Sequence, residues 1–142
     1  MISKWFNELS NTEIYEILKA RATIFVKEQN ITYVDEDDVD YDSLHIFRIE
    51  DGRVIAYLRA YREDDDTVKV GRVLTIEHGK GIGTELMMFA IEEIPKKLPC
   101  KQISMDAQKH AIKFYERLGF SVTSEEYLEE GIIHVDMSFK IS

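Results

Sequence analysis

Cysteine and long apolar runs are what this sequence lacks most clearly. The only cysteine, Cys100, cannot form an internal disulfide bond, and its neighbours show no spacing typical of metal ligands. No segment approaches the roughly 18 consecutive apolar residues that a membrane span needs. The first residues, "MISKWFNELSNTE", lack the apolar core of a signal peptide. We therefore expect a cytoplasmic protein with no membrane partner, no disulfide and no metal.

Basic residues are also in deficit. The chain has 18 Lys and Arg against 27 Asp and Glu, which gives a formal net charge of −9. This balance argues against nucleic acid as a partner, because phosphate backbones are bound by basic surfaces. A small anion stays compatible with it, since backbone N–H groups at a helix N-terminus bind phosphate without net positive charge. With 142 residues and 44% hydrophobic residues, we expect one domain, 1–142, with its own core.

The order of apolar patterns predicts an α+β fold. Cap-type Ser10 and Asn11 precede apolar residues at helical spacing, which predicts one helix or two short ones from about Thr12 to Lys27. Three strands follow, and Asp51-Gly52 is typical of a hairpin turn, so the middle of the chain predicts an antiparallel meander. These strands are "LHIFRIE", "RVIAYLRAYR" and "TVKVGRVLTI". The later elements are a helix Ile82–Ile94 ended by Pro95, a strand "KQISMDA", a helix "HAIKFYERL" ended by Gly119, and strands "FSVTSEEYL" and "GIIHVDMSFK".

The segment "NITYVDEDDVDYDS" between the first helix and the meander is acidic and has no clear periodicity. An EF-hand loop starting at Asp38 would need Gly and Glu where the chain has Ser43 and Ile49. The pattern therefore excludes an EF-hand and predicts a solvated acidic loop.

Glycine is scarce, yet three of the seven glycines lie in "HGKGIGTEL", His78 to Leu86, where a helix begins. Glycine in a first helical turn lowers helix stability, so another requirement must outweigh this cost. A P-loop is excluded because Lys80 lies between glycines. A dinucleotide fingerprint is not matched, because its third glycine is replaced by Thr84 or Leu86, but Asp106 stands where a ribose-binding acid is expected and keeps this function as a weaker alternative.

Two interpretations of these glycines remain. They form a cradle in which backbone N–H groups and the helix dipole bind a diphosphate, with the Thr84 hydroxyl and the Lys80 charge beside it. Alternatively, they form a tight strand-to-helix turn that binds nothing.

The glycine segment resembles the acetyl-CoA loop of the GNAT (GCN5-related) N-acetyltransferase family, whose motif is Q/R-x-x-G-x-G/A. A second family landmark, A-x-x-F/L-Y-x-x-x-G-F, is matched by "AIKFYERLGF", Ala111 to Phe120. The stretches "RATIFVKEQNITYVDEDDVD" and "EEGIIH" are similar to a small ElaA-like branch of that family. The resemblance spans essentially the whole chain, with His78 in place of the usual Gln or Arg.

This resemblance implies the GNAT fold, a mixed and mostly antiparallel sheet flanked by helices, and acetyl-CoA as a co-substrate without a metal. It implies that the pyrophosphate is bound by the loop and first helical turn, namely His78, Gly79, Lys80, Gly81, Ile82, Gly83 and Thr84. It also implies that the preceding strand bulges and separates from its neighbour. Backbone groups of Leu74, Thr75 and Ile76 would then meet the pantetheine arm and the thioester oxygen. Homodimers are frequent in the family.

Acetyl transfer to an amine needs a base for the amine and a proton donor for the leaving thiolate. Tyr115 matches the family tyrosine and is the candidate acid; the alternative is a core tyrosine on an apolar helical stripe. His134 is the candidate base, because strand alternation places it on the face of its strand opposite to the apolar Val135 and Met137. Its alternatives are an ordinary exposed histidine at this position, or Glu28, Glu77 or a water relay as the base.

Two arginines fall on apolar faces. Arg21 lies on the stripe of the first helix, and strict alternation places Arg72 with Val70 and Leu74. Such an arginine must be paired, meet a ligand, or lie where a β-bulge shifts the alternation. We consider two roles for the pair: binding an anionic group of the acceptor, or forming internal salt bridges with the acidic loop at positions 35–42.

The sequence thus predicts an acetyltransferase that moves an acetyl group from acetyl-CoA to a primary amine by direct transfer in a ternary complex. Cys100 is a poor candidate for an acyl relay, since no histidine neighbours it. A non-catalytic acyl-CoA sensor on the same fold and a dinucleotide-binding module are the competing functions. The acceptor, most simply a small-molecule amine, is left open: the inward arginines favour an anionic group on it, whereas the acidic composition favours a cationic one.

Overall fold

A mixed eight-stranded β-sheet forms the centre of the molecule, which a computed structural model describes over residues 1–30 and 34–142. The strand order is β1-β2-β3-β4-β5-β8-β6, and β7 pairs with β8. The strands are β1 Ile2–Trp5, β2 Leu44–Glu50, β3 Arg53–Arg62, β4 Thr67–Thr75, β5 Gln102–Gln108, β6 Ser121–Val122, β7 Tyr127–Glu129 and β8 Ile132–Lys140. The helices are α1 Asn11–Arg21, α2 Ile82–Lys97 and α3 Ile112–Arg117. The predicted α+β class is confirmed.

The predicted meander is confirmed in β2, β3 and β4, which pair antiparallel. Asp51 and Gly52 both have positive φ, 51° and 75°, as a two-residue hairpin turn of the favoured twist requires. After β4 the chain crosses over through α2, so β4 and β5 pair in parallel. The pairs β1–β2, β5–β8, β6–β8 and β7–β8 are antiparallel.

The first helix begins at a capping box. The Ser10 hydroxyl accepts a hydrogen bond from the Glu13 N–H at 3.1 Å, and the Glu13 carboxylate accepts one from the Ser10 N–H at 2.8 Å. The helical path continues beyond α1 as a π-helix, Ala22–Glu28, whose last turn is closed by Gln29 N–H donating to Ile24 O at 2.9 Å. One continuous segment, close to the predicted limits, therefore runs from position 11 to 28.

Apolar side chains on the two faces of the sheet form two separate clusters. Ile46 and Phe47 are adjacent on β2 but belong to different clusters, as alternation along a strand requires. One cluster packs α2 and α3 against the sheet, and the other packs α1 and the π-helix against it. The two helical layers thereby fix the sheet between them and hold the chain segments that surround the site.

Four local predictions need correction. Strand β1 was missed, and the predicted strand at 120–128 is divided into β6 and β7. Helix α2 continues past Pro95 to Lys97, because a proline near a helix end forfeits one hydrogen bond and Leu98 N–H still reaches Ile94 O at 2.7 Å. The acidic loop is only partly solvated, since Asp35 and Asp40 are buried; its positions 31–33 lie outside the described residues.

Candidate active site

A cleft of about 880 Å³ opens where β4 and β5 separate. The two strands pair from Thr67↔Gln102 to Val70↔Met105, and beyond that point they pair no further within the described ranges, although both continue toward Thr75 and Gln108. The cleft runs from this gap to the start of α2. Of the fourteen residues predicted from the sequence, twelve line it: Arg72, Leu74, Thr75, His78, Gly79, Lys80, Gly81, Ile82, Gly83, Thr84, Tyr115 and His134.

A β-bulge in β4 accompanies the separation. The β3–β4 register shifts between Arg59↔Gly71 and Tyr57↔Leu74, so that one residue of β3 faces two of β4, and Arg72 has a φ of 53°. The bulge reverses the alternation of side chains: Val70 packs in one apolar cluster, whereas Leu74 packs in the other. The predicted bulge alternative for Arg72 is therefore what the structure contains.

Beyond the bulge, one of the three residues predicted to meet acetyl-CoA through the backbone, Thr75, directs its backbone N–H and C=O groups into the β4–β5 gap. Ile76 N–H donates to the Ile55 carbonyl at 2.9 Å, so this group is already committed to β3. Hydrogen-bonded and non-hydrogen-bonded pairs alternate in an antiparallel ladder. Thr75, opposite Ala56, therefore points its N–H and C=O into the gap, and Leu74 points its own at β3. Of the three predicted residues, Thr75 is therefore the one whose backbone N–H faces the gap, while the N–H groups of Leu74 and Ile76 are directed at β3.

The N-terminus of α2 faces the cleft with open backbone donors. Gly81 is the N-cap residue, has a φ of 76°, and provides no side-chain cap. The helical ladder begins with Glu85 N–H bonded to Gly81 O, so the N–H groups of Ile82, Gly83 and Thr84 lack intrahelical acceptors. A Cβ atom built at Gly79 or Gly81 would meet no atom within 4 Å. This space and these donors suit an anionic group.

The side chains of the glycine loop are exposed and form pairs across it. His78 Nε2 lies 3.1 Å from a carboxylate oxygen of Glu28, which links the loop to the end of the π-helix. Lys80 pairs with Glu77, and this hydrogen bond raises the pKa of Lys80 and lowers that of Glu77. Glu28 and Glu77, the alternative bases, are therefore exposed and engaged with partners on the loop.

Tyr115 reaches the cleft from α3 with its ring in the core. The ring makes edge contacts with Phe114 and Phe120, at centroid distances of 5.0 and 5.9 Å. Burial raises the pKa of Tyr115 to about 12. Its hydroxyl has no hydrogen-bond partner among the residues that the structure describes. Tyr115 thus packs its ring on the apolar face of α3 and also lines the cleft, and its hydroxyl stays protonated at neutral pH.

His134 lies on β8 opposite Gln108, at the open end of β5, and is 7% exposed. Its Nδ1 lies 2.8 Å from the Ile132 carbonyl oxygen, which can only accept, so Nδ1 carries the proton and the neutral ring presents a lone pair at Nε2. The Glu129 carboxylate lies 3.5 Å from Nε2. As predicted, the side chain faces away from Val135 and Met137, but it is buried rather than exposed.

Arg21 and Arg72 meet in a network of ion pairs. One carboxylate oxygen of Asp35 accepts a hydrogen bond from Arg21 Nε at 2.7 Å, and the other accepts one from Arg72 Nε at 2.9 Å. Arg21 also donates to Asp40 at 2.7 Å and is fully buried. The structure thus places both arginines in the salt-bridge alternative. It corrects the acceptor-binding hypothesis for Arg21, which no ligand in the cleft can reach.

A third arginine, which the sequence patterns did not single out, completes this network. Arg59 donates to Asp37 at 2.6 Å and to Asp40 at 3.0 Å. The Arg59 bond lowers the pKa of Asp37. Burial alone would raise the pKa of Asp40, but its bonds to Arg21 and Arg59 outweigh burial and lower it. The network therefore joins three arginines to three aspartates, and the lowered pKa values of Asp37 and Asp40 keep these two carboxylates charged at neutral pH.

Cys100 lies away from the cleft, before β5, and burial raises its pKa. In the part of the chain that the structure describes, no group of three or more His, Cys, Asp or Glu side chains is arranged to hold a metal ion. No helix among the described residues has the length and apolar character to cross a membrane.

Comparisons with known proteins agree with this geometry. The chain is 36% identical to Protein ElaA from Escherichia coli over 141 residues, covering 95% of this chain and 92% of that protein. The crystal structure of E. coli ElaA superposes with a TM-score of 0.91 at 33% identity, covering 98% of this chain and 97% of the other. An acyl-CoA N-acyltransferase from Pseudomonas aeruginosa gives a TM-score of 0.90 at 31% identity, covering 97% of both chains.

A more distant structure shares the fold. It is a GNAT family acetyltransferase from Elizabethkingia anophelis with acetyl-CoA bound, which matches with a TM-score of 0.64 at 16% identity and covers 99% of this chain and 97% of the other. The profile of the acetyltransferase (GNAT) domain matches residues 14–141. With this profile match, the ElaA-like sequence and the separated β4 and β5, the chain belongs to the GNAT acetyltransferase family.

Proposed function

We propose that the protein, over residues 1–142, is an N-acetyltransferase that moves an acetyl group from acetyl-CoA to a primary amine by direct transfer in a ternary complex. The observation that carries this proposal is the continuous cleft that joins the open donors of α2 to Tyr115 and His134. Its cytoplasmic location stays a prediction from the sequence.

The proposed acetyl-CoA site uses the residues that the geometry makes available. The N–H groups of Ile82, Gly83 and Thr84 bind the pyrophosphate, because an uncapped helix N-terminus carries partial positive charge. Thr75 offers its backbone N–H to the pantetheine arm or the thioester carbonyl, where a donor stabilises the developing oxyanion. The structure of the E. anophelis relative with acetyl-CoA supports this choice of ligand.

In the proposed reaction the amine nitrogen attacks the thioester carbon, a C–N bond forms and the C–S bond breaks. The amine proton passes to His134 Nε2, which holds a lone pair in the tautomer described. A Tyr115 pKa of about 12 makes full proton transfer to an alkyl thiolate, with a pKa near ~8.5, unfavourable. Tyr115 therefore stabilises the departing thiolate by donating a hydrogen bond, and solvent supplies the thiol proton. The products are an N-acetylated amine and coenzyme A.

Binding of acetyl-CoA tests the cradle, with Gly81→Leu as the test variant and Gly52→Leu as its matched control. Both glycines have a φ near 75° and open space where a Cβ atom would lie, so both variants carry similar backbone strain of about 1–2 kcal/mol. We expect calorimetry to show at least an order-of-magnitude loss of acetyl-CoA affinity for Gly81→Leu alone. Equal affinity of both variants for acetyl-CoA would show that the pyrophosphate does not bind at this loop.

Thiol release then separates the two functions that share the fold. A transferase releases coenzyme A only when an amine is added, whereas a non-catalytic sensor binds acetyl-CoA without amine-dependent turnover. Titration with a nicotinamide dinucleotide is the control for the third function, and binding of that ligand would favour a dinucleotide module over both.

A further inference from the structure

The charges that line the cleft are nearly all paired. Each lysine or arginine of its wall contacts a carboxylate: Arg59 with Asp37 and Asp40, Arg72 with Asp35 and Asp37, Lys69 with Asp106, and Lys80 with Glu77. The buried network itself is balanced, with three arginines and three aspartates. Among the described residues, no cationic side chain of the wall is therefore left in excess to attract an anionic acceptor.

Two carboxylates of the wall are in excess. Glu129 ends β7 and Glu130 lies in the turn before β8, and within residues 1–30 and 34–142 neither pairs with a lysine or an arginine. Glu130 and Gly131 both have positive φ, 51° and 74°, so the turn is a tight hairpin that holds the two acids beside β8. Glu129 is about half exposed, at 49%.

This acidic turn lies beside the candidate base. Glu129 is 3.5 Å from His134 Nε2, and His134 is more than nine-tenths buried with that nitrogen making no hydrogen bond among the described residues. At the cleft wall this nitrogen is available to accept a hydrogen bond from a ligand. The acceptor amine is the natural partner, and any further part of the acceptor then extends over Glu129 and Glu130.

We propose that the acceptor is a small diamine or polyamine, whose reactive amine meets His134 while a second ammonium group binds Glu129 and Glu130. This inference rests on the proposed acetyl transfer and names its substrate class. It also resolves the conflict in the sequence, because the inward arginines are neutralised by aspartates whereas the two glutamates are not.

The test compares three acceptors that carry the same primary amine on a short chain and differ in the charge of the tail. Putrescine has a second ammonium, butylamine has a methyl group, and γ-aminobutyrate has a carboxylate. We expect kcat/KM to fall in that order, with a putrescine preference over butylamine of about fivefold for each carboxylate engaged. Added salt narrows this preference, because partly exposed charges are screened.

The variants Glu129→Gln and Glu130→Gln identify the residues responsible. Within each variant the measured quantity is the ratio of kcat/KM for putrescine to that for butylamine, so any effect on the chemistry shared by both acceptors cancels. We expect the ratio to fall in both variants and to be unchanged in Glu92→Gln, which removes the same charge from an exposed position of α2 outside the cleft wall.

Two kinds of failure are distinguishable. Equal kcat/KM for putrescine and butylamine, a preference for γ-aminobutyrate, or a ratio that both glutamate variants leave unchanged would overturn the diamine inference while acetyl transfer stands. Acetyl-CoA binding without thiol release for any of the three amines would also overturn the diamine inference, and the same result across a wider library of primary amines, including amino sugars and lysine peptides, would overturn the proposed transferase as well.

Discussion

At the scale of single residues, Tyr115 and His134 face one cleft with different proton-transfer abilities. Burial favours the neutral phenol and raises the pKa of Tyr115 to about 12, so its hydroxyl remains a donor far above neutral pH. The backbone bond at His134 Nδ1 fixes the tautomer that leaves Nε2 open. The hydrogen-bond donor at Tyr115 is lost only as the pH approaches about 12.

The pH dependence of kcat/KM tests these two roles. For His134→Gln we expect a loss on the order of 100-fold in kcat/KM. For Tyr115→Phe we expect a loss on the order of 100-fold at every pH below about 12, with no new alkaline limb. One acceptor is used throughout, so that its own ionisation contributes equally to all profiles.

Tyr115→Phe also separates catalysis from structure. Because the hydroxyl has no partner in the described residues and the ring contacts are kept, the free energy of unfolding should change by less than about 0.5 kcal/mol. Unchanged acetyl-CoA affinity with reduced kcat supports the role. An unchanged kcat in Tyr115→Phe would leave this tyrosine as a core residue only.

At the scale of elements, Asp35 joins three parts of the chain. Its carboxylate bonds Arg21 of α1 and Arg72 of the β4 bulge, and its carbonyl oxygen accepts from both. The acidic loop is therefore tied to the helix on one face and to the strand that opens the cleft. Removing its charge leaves the fully buried Arg21 with one carboxylate fewer.

We expect Asp35→Asn to lower the free energy of unfolding by about 3 kcal/mol, since breaking a buried ion pair leaves an uncompensated charge. Asp38→Asn is the matched control: it is the same chemical change in the same loop, at an exposed aspartate with no cationic partner among the described residues. Its φ of 66° also suits asparagine. Urea denaturation of both variants measures the difference, and equal stabilities would contradict the role of Asp35.

Local patterns predicted the elements whose signals lie within a few residues. The Asp51-Gly52 turn, the Ser10 cap and the start of α2 after Gly81 follow from backbone preferences that each short segment carries. Strand β1 was missed because its four residues show no alternation and depend on distant β2. The division between β6 and β7 escaped prediction for the same reason, since both segments are defined by pairing with β8.

The site residues show the same difference between what local sequence patterns predict and what depends on distant parts of the chain. Twelve predicted residues line the cleft, and eight of them come from two motifs that are contiguous in sequence, the glycine segment and the segment that carries Tyr115. For Arg21 the sequence left two roles open, and the structure contains the salt bridges to the acidic loop; only the folded structure shows which apolar-face arginines are neutralised. Glu129 and Glu130 lie in the stretch "EEGIIH" that carries the resemblance, but they were given no role because two exposed acids in a turn do not by themselves indicate a binding site. The role proposed for Glu129 and Glu130 depends on the position of His134 and on the ion pairs that the other charged side chains of the cleft wall form.

At the scale of the whole molecule, the arrangement of the cleft favours direct transfer over an acyl-enzyme. Residues of α2, of the β4–β5 gap and of the β7–β8 turn line the same cleft, so both substrates have room in one continuous volume of about 880 Å³. Cys100 lies before β5, at the paired end of the sheet, whereas the cleft lies at the separated end. Burial raises the pKa of its thiol, which lowers the fraction of reactive thiolate.

We therefore expect initial rates measured against both substrates to give intersecting double-reciprocal lines, as a ternary complex requires, rather than the parallel lines of a ping-pong reaction. Cys100→Ala should keep kcat and both KM values within about twofold, because its side chain packs at the edge of the core and not at the cleft. Mass spectrometry of the protein after incubation with acetyl-CoA alone should show no acetylated Cys100. Parallel lines together with an acetyl group on Cys100, lost in Cys100→Ala, would replace direct transfer with a relay and would require the two ends of β5 to communicate through a conformational change.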